Sequence, residues 1–167
     1  MKFENYDITP EIKRNIAELG FKKPTDIQFK SIPPILKRED VLAIAQTGTG
    51  KTAAFAIPVV HLIHTQKRSR ASRGIQCVVM VPTHELAIQI NEVFEQIARH
   101  TRVKTYAIFG GTEQDKQIKK LYDGIDILVA TPGRLFDLRS QGAIDLGSVQ
   151  ILILDEADHM LDLGFID

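Results

Sequence analysis

Residues 41–52 read VLAIAQTGTGKT, an apolar run that leads into a glycine-containing loop and ends in lysine and threonine. A helical pattern follows, so the segment predicts a strand, a loop and a helix in that order. The glycines let the backbone curl so that successive N–H groups face one anion, and the start of the helix adds favourable partial charge. We therefore predict a phosphate-binding loop at the carboxyl end of a buried strand.

The last two residues of this segment carry side-chain chemistry. Lys51 is expected to reach the β- and γ-phosphates of a nucleotide, and Thr52 to offer its hydroxyl to Mg²⁺. A glycine usually opens the pattern, but Ala45 occupies that position here. The alternative is a turn with a chance lysine and threonine, which is disfavoured because strand, loop and helix agree. The remaining phosphate contacts are expected from the loop residues Thr47, Gly48, Thr49 and Gly50.

Near-continuous apolar runs alternate with helical patterns along the chain. Such runs are typical of strands covered on both faces, and their alternation with helices predicts right-handed crossovers. We therefore predict an α/β fold, a doubly wound parallel sheet flanked by helices, with ligands beyond the carboxyl ends of the strands. The predicted strands are 41–45, 76–81, 105–109, 125–130 and 149–154. Helices are predicted from Thr9 and Pro10 to Gly20, and near 25–37, 51–64, 84–99, 113–122 and 133–139.

Composition is that of an ordinary globular domain. The 167 residues are 44% apolar and 25% charged, with a formal net charge of zero, so any nucleic-acid contact must come from local surface. The basic segment 66–73 is interpreted as a solvated connection, with an accessory phosphate contact as the alternative. The single cysteine, Cys77, excludes an internal disulfide and fits a buried strand. Without a membrane-length apolar run or a signal-peptide pattern, we expect a cytoplasmic protein without a membrane partner.

Two acidic residues follow the last predicted strand. The run QILIL at 150–154 ends in Asp155 and Glu156. A carboxylate at a strand's carboxyl end is placed to hold Mg²⁺, largely through water, and the next acid can orient a water or accept its proton. A turn is needed, because adjacent residues of a strand point to opposite faces. An acidic pair after a strand is often only a polar turn, but a phosphate loop in the same chain favours the metal interpretation.

A glutamine near the N-terminus has the chemistry to read adenine. The Gln28 amide is both donor and acceptor, so it can pair with the N6 and N7 edge of the base, and Phe21 offers an aromatic face. The residues alone favour a simpler alternative, in which Gln28 is a surface helix residue and Phe21 belongs to the core.

At this point the sequence resembles the DEAD-box RNA helicase family, whose members belong to a superfamily built from two RecA-like domains. The resemblance covers nearly the whole chain, and the motifs occur in the family's order. They are GFKKPTDIQ at 20–28 with Phe3 upstream, the phosphate loop, PTHELA at 82–87, FGG at 109–111, TPGRL at 131–135 and DEAD at 155–158.

The resemblance implies a role for most of these residues. ATP and Mg²⁺ are the expected cofactors, with Lys51, Asp155 and Glu156 in catalysis, and Thr52 and Asp155 at the metal. Adenine is expected to contact Phe21, Lys23 and Gln28. The resemblance therefore disfavours the alternative in which Gln28 is a surface helix residue and Phe21 belongs to the core. Asp158 is expected to couple hydrolysis to strand separation. RNA contacts are expected from Pro82, Thr83, Gly110, Gly111, Thr131, Pro132, Gly133 and Arg134.

The backbone amides, hydroxyls and single arginine of these motifs suit contact with phosphates and 2′-hydroxyls rather than the reading of base edges. Small residues also serve plain turns, which is the interpretation that the residues alone favour. His84 departs from the family, which has arginine there, and a mostly neutral imidazole makes no bidentate fork. The other histidines show no zinc-ligand pattern and are interpreted as structural or exposed.

The resemblance also predicts domain organisation. Residues 1–30 are expected to form the adenine-reading segment, and 31–167 a first RecA-like domain that lacks its last strand, with the second RecA-like domain absent. We expect a monomeric protein, an unprotected sheet edge, and nucleotide binding with negligible hydrolysis by this chain alone. The predicted function is that of an ATP-dependent RNA helicase. The alternatives are a DNA-directed helicase of the same superfamily and a non-catalytic RNA-binding scaffold.

Overall fold

A computed structural model describes residues 2–44, 50–67, 74–111 and 113–162. Most of the predicted phosphate loop and most of the basic segment lie outside these residues. The chain divides into two compact units, the first made of Met1–Arg68 and Val93–Arg102, the second of Ser69–Glu92 and Val103–Asp167. The expected boundary between residues 30 and 31 falls inside a helix of the first unit.

A parallel sheet forms the centre of the second unit. Its strand order is β2-β3-β1-β4, and every neighbouring pair is parallel. This confirms the predicted α/β fold class. The strands are β1 (Cys77–Met80), β2 (Thr105–Ile108), β3 (Ile127–Ala130) and β4 (Ile151–Leu154). The helices of the chain are α1 (Pro10–Glu18), α2 (Asp26–Leu36), α3 (Lys51–Gln66), α4 (His84–Ala98), α5 (Gln114–Tyr122), α6 (Pro132–Ser140) and α7 (Ala157–Asp162), after a 3-10 turn at Phe3–Asn5.

The core of the second unit follows from the apolar runs. All residues of β1 and β3 are buried, as their unbroken apolar sequences predict. Leu135 and Leu138 of α6 and Met160 of α7 pack into the same cluster as the strand residues Val78 and Leu128. Burial of Cys77 raises the pKa of its thiol, which confirms its interpretation as a small buried residue.

The first unit begins with an amphipathic helix. Ile12 and Ile16 of α1 are buried, as its spacing predicts. Gly20 has a φ of +82°, and the N–H of Phe21 donates to the carbonyl of Ile16, so the predicted glycine terminates the helix in a left-handed turn. No helix within the described ranges is both long and apolar enough to cross a membrane.

The predicted strand at 41–45 is wrong for Val41–Ile44, which the structure leaves outside any strand. Leu42 and Ile44 are 90% and 89% exposed. An apolar run becomes a strand only where a neighbouring strand takes its backbone hydrogen bonds, and none of the described strands pairs with this one. Ala45 lies outside the described residues.

Candidate nucleotide and RNA sites

The described end of the phosphate loop lies at the start of α3. Gly50 precedes this helix with a φ of +81°, and Lys51 and Thr52 are its first two residues. A helix N-terminus carries partial positive charge and N–H groups without helical partners, both favourable to a phosphate. The predicted residues Thr47, Gly48 and Thr49 fall outside the described part of the chain.

Gln28 is buried and fixed at both ends of its amide. It is 2% exposed, its Oε1 accepts from the N–H of Thr25 at 3.0 Å, and its Nε2 donates to the carbonyl of Gly50 at 3.1 Å. Thr25 in turn caps α2 by accepting from the N–H of Gln28. The alternative of a surface helix residue is therefore wrong. Sequence reasoning missed the contact with Gly50, which joins the adenine-reading segment to the phosphate loop.

Gly50 is required at its position for two reasons. Its positive φ favours glycine, and a Cβ there would lie 2.5 Å from Nε2 of Gln28. The loop and the glutamine therefore fit together only without a side chain at residue 50.

The other two residues expected near adenine lie at the surface. Phe21 is 38% exposed, so its assignment to the core is wrong, and Lys23 is also exposed. The ring of Phe21 lies 6.5 Å from that of the buried Phe3, centroid to centroid. This contact explains how Phe3, distant in sequence, supports an exposed aromatic face.

The acidic pair sits in a turn, as predicted. Asp155 is 5% exposed, and its N–H donates to the carbonyl of Met80, directly after β4. Glu156 has a φ of +54°, which breaks the alternation of the strand. Helix α7 begins at the next residue, was not predicted from the sequence, and carries Asp158 exposed in its first turn. Oε2 of Glu156 lies 3.6 Å from Nδ1 of His159.

The three motifs expected at RNA follow β1, β2 and β3 directly. Because these strands are parallel, their carboxyl ends lie at one edge of the sheet. Thr83 caps α4, since its hydroxyl accepts from the N–H of Leu86 at 3.3 Å. Thr131 precedes α6, and Pro132 is the first residue of that helix. Pro82 is buried. Thr83 and Pro132 therefore have structural roles at the starts of α4 and α6.

Two glycines at this edge are not explained by packing. A Cβ at Gly110 or at Gly133 would meet no atom of the described residues within 4 Å, apart from the local backbone, and neither glycine has a positive φ. Gly111 differs, because its φ is +78°. Open space in front of Gly110 and Gly133 allows another backbone to approach closely.

A chain of contacts connects the three motifs. The ring of His84 lies 5.8 Å from the ring of Phe109, and Nε2 of His84 lies 2.8 Å from Oε1 of Glu85. Gln117, 4% exposed, donates from Nε2 to the carbonyl of Phe109 at 3.2 Å and accepts at Oε1 from Nη1 of Arg134 at 3.0 Å. Sequence reasoning missed Gln117. The available signal was a glutamine four residues before Leu121, on the apolar stripe of a helix.

The comparisons with known proteins agree with this geometry. The sequence model of the DEAD/DEAH box helicase family matches residues 25–167. The chain belongs to the DEAD/DEAH box helicase family. Among curated members, this chain is 44% identical to an ATP-dependent RNA helicase RhlB of Shewanella sp. (strain ANA-3) over 99% of its length, and 43% identical to that of Serratia proteamaculans.

Solved structures from the same family have the same fold. A DEAD box protein from Methanococcus jannaschii is 41% identical, with a TM-score of 0.89 over 99% of this chain. A hypothetical ATP-dependent RNA helicase from Sulfolobus tokodaii is 42% identical, with a TM-score of 0.85 over 96%. The chain spans 38% and 39% of the two curated family members and 44% and 45% of the two solved chains.

Proposed function

We propose that this chain is the N-terminal ATP-binding domain of an ATP-dependent RNA helicase, and that the whole protein couples ATP hydrolysis to local separation of RNA duplexes. The observation that carries the proposal is the end of the sheet where the strands have their carboxyl termini, because one of the motifs follows each of the four strands there. In parallel α/β sheets this edge binds the ligand. The RNA helicase names of the curated relatives support RNA as the partner.

The nucleotide is proposed to bind through the adenine-reading segment, the phosphate loop and the acidic pair after β4. Phe21, Lys23 and Gln28 take adenine, the loop at 47–50 takes the phosphates, and Lys51 neutralises charge on the β- and γ-phosphates. The donor set fits Mg²⁺, because Thr52 and the buried Asp155 offer hard oxygen atoms. When bound, this ion would neutralise charge on the phosphates. Glu156 is proposed to orient the attacking water and accept its proton.

The RNA is proposed to bind by its backbone. The amide, hydroxyl and guanidinium donors for this contact come from Thr83, Gly110, Gly111, Thr131, Gly133 and Arg134. Pro82 and Pro132 shape the backbone that carries these donors. Asp158 would couple hydrolysis to strand separation. We place the protein in the cytoplasm as a monomer. Alone, this chain, which spans 38% of a curated relative's length, is proposed to bind nucleotide and to hydrolyse it negligibly.

The test measures the ATPase rate of the whole protein with single-stranded RNA, with DNA of the same sequence and without nucleic acid. We expect stimulation by RNA alone, and loss of hydrolysis with retained ATP binding in Glu156→Gln. Equal stimulation by DNA would favour a DNA-directed helicase. Unchanged hydrolysis in Glu156→Gln would remove its assigned role, and no hydrolysis in the wild type would favour a scaffold.

A nucleotide arm of the same experiment compares ATP, ADP and GTP binding by this chain. We expect ATP and ADP to bind more tightly than GTP. Because Gln28 also holds Gly50, a Gln28→Ala variant should weaken all three nucleotides, but it should also reduce the preference for adenine. An unchanged ratio of ATP to GTP affinity would leave Gln28 with only a structural role. Gln89→Ala, on the exposed side of α4, is the control.

A further inference from the structure

Gln117 joins two motifs that are separate in the sequence. Its side chain projects from α5 and is 4% exposed, although a buried amide needs hydrogen-bond partners to offset its desolvation. The carbonyl of Phe109, next to the glycine doublet, accepts from this amide, and the guanidinium of Arg134 in the TPGRL motif donates to it. The amide therefore links the loop after β2 to the side chain of Arg134 in the first turn of α6.

The contact with Arg134 constrains the direction of the guanidinium. A guanidinium has five N–H groups in a rigid plane, so it can bind an amide oxygen and a phosphate at the same time. A side chain that is already held in place loses less conformational entropy when a phosphate binds. The contact with Phe109 acts on the backbone, since the carbonyl that accepts from Gln117 belongs to the residue before Gly110.

We propose that Gln117 is a positioning residue for RNA binding, which orients Arg134 and the loop at 109–111 without touching the RNA. The inference rests on the proposed function, because it assumes that this edge binds an RNA backbone. The aromatic contact between Phe109 and His84 extends the same arrangement to the third motif. Loss of the amide should therefore weaken RNA binding without changing the chemistry at ATP.

The experiment uses the whole protein with a single-stranded oligouridylate and measures RNA-stimulated ATPase activity. Gln117→Met keeps the length of the side chain and removes its hydrogen bonds to Phe109 and Arg134. We expect the RNA concentration for half-maximal stimulation to rise about tenfold, as for loss of a hydrogen bond to a charged group. The kcat at saturating RNA and the KM for ATP should not change. Gln114→Met, one turn earlier on α5 in an exposed contact with Gln141, is the matched control and should behave as the wild type.

A double-mutant cycle separates positioning from general packing. Because Gln117 acts partly through Arg134, Gln117→Met should cause a smaller loss of RNA affinity in the Arg134→Met background than in the wild type. If the increases in half-maximal RNA concentration of the two single variants multiply in the double variant, the inference is overturned. Thermal denaturation checks folding, and Gln117→Asn, which keeps a buried amide but shortens it, serves if the Met variant does not fold. A folded Asn variant with wild-type RNA dependence would also overturn it.

The two levels of failure are distinguishable. If RNA does not stimulate the wild-type protein, the proposed function fails and this inference with it. If RNA stimulates the wild type and Gln117→Met equally, only the role of Gln117 is lost.

Discussion

Gly133 lies in the first turn of α6, where an alanine would fit without a clash. Glycine inside a helix costs roughly 0.5–1 kcal/mol relative to alanine, because it loses more backbone freedom on folding. Neither packing nor φ requires glycine at this position. Close approach of a phosphate backbone is the remaining physical reason for a residue without a side chain.

Replacement of Gly133 by alanine should therefore separate stability from binding. We expect Gly133→Ala to raise the free energy of unfolding by roughly 0.5–1 kcal/mol and to weaken RNA binding by the whole protein. Thermal denaturation and fluorescence anisotropy with labelled RNA measure the two effects.

Gly20 provides the contrasting control. Its Cβ would also meet open space, but its φ is +82°. Gly20→Ala should lower stability by about 1 kcal/mol and leave RNA binding unchanged. If Gly133→Ala binds RNA as tightly as the wild type, the close approach at this residue is contradicted.

At the scale of single residues, the sequence predicted which side chains have suitable donors and acceptors better than it predicted which residues they contact. The donor and acceptor of Gln28 identified it as a candidate, but its bond to Gly50 depends on how α2 and α3 pack, and no local pattern contains that. Gln117 was missed for the same reason, because its partners lie 8 and 17 residues away. Glu156 was expected in a turn, and its left-handed backbone is the form that this turn takes.

Helix α3 carries two histidines that accept backbone hydrogen bonds. Nδ1 of His61 accepts from the N–H of Thr9, and Nδ1 of His64 accepts from the N–H of Arg102, each at 3.1 Å. Both rings must be neutral at Nδ1 to do so. The interpretation of these residues as structural is confirmed. They tie α3 to the start of α1 and to the segment after α4.

Burial lowers the pKa of both imidazoles below the ordinary value of 6.5. Asp7 opposes the shift at His61, while at His64 the charge of Arg102 adds to it and Glu11 opposes it. With lowered pKa values, the unfolded chain binds more protons than the folded one just below pH 6.5. Their contribution to stability is therefore present above pH 6.5 and is lost as the pH falls towards the folded-state pKa values.

We expect the free energy of unfolding to decrease as the pH falls below about 6.5, measured by urea denaturation of this chain. His61→Asn and His64→Asn, which keep an acceptor that does not titrate, should each reduce this dependence. His100→Asn is the control, since His100 is exposed and asparagine tolerates its φ of +62°. An equal reduction in the control would exclude α3 as the source.

At the scale of elements, six helices and four strands were predicted from periodicity within about two residues of their ends. Their patterns extend over several helical turns or form near-continuous apolar runs, which the sequence shows directly. The run at Val41–Ile44 is entirely apolar, like β4, but forms no strand, because strand formation also needs a partner. Helix α7 was missed because six residues carry too little periodicity to be recognised.

For the molecule as a whole, apolar surface is left uncovered in both units. Within the described residues β4 pairs only with β1, and Leu152 and Leu154 are 59% and 44% exposed. In the first unit Leu42 and Ile44 are almost fully exposed. An open strand edge with apolar side chains favours pairing with another chain. The formal net charge of zero supplies no general repulsion to oppose it.

We therefore expect this chain, in isolation, to self-associate with increasing concentration at neutral pH, as measured by analytical ultracentrifugation. Leu152→Lys and Leu154→Lys should shift association to concentrations roughly tenfold higher, since each places a charge on the open strand. Tyr122→Lys adds the same charge at a 92% exposed residue outside the strands, so it separates the effect of net charge from that of the edge. If Tyr122→Lys suppresses association as strongly as the β4 variants, the edge is not the contact, because added net charge alone would then account for the change.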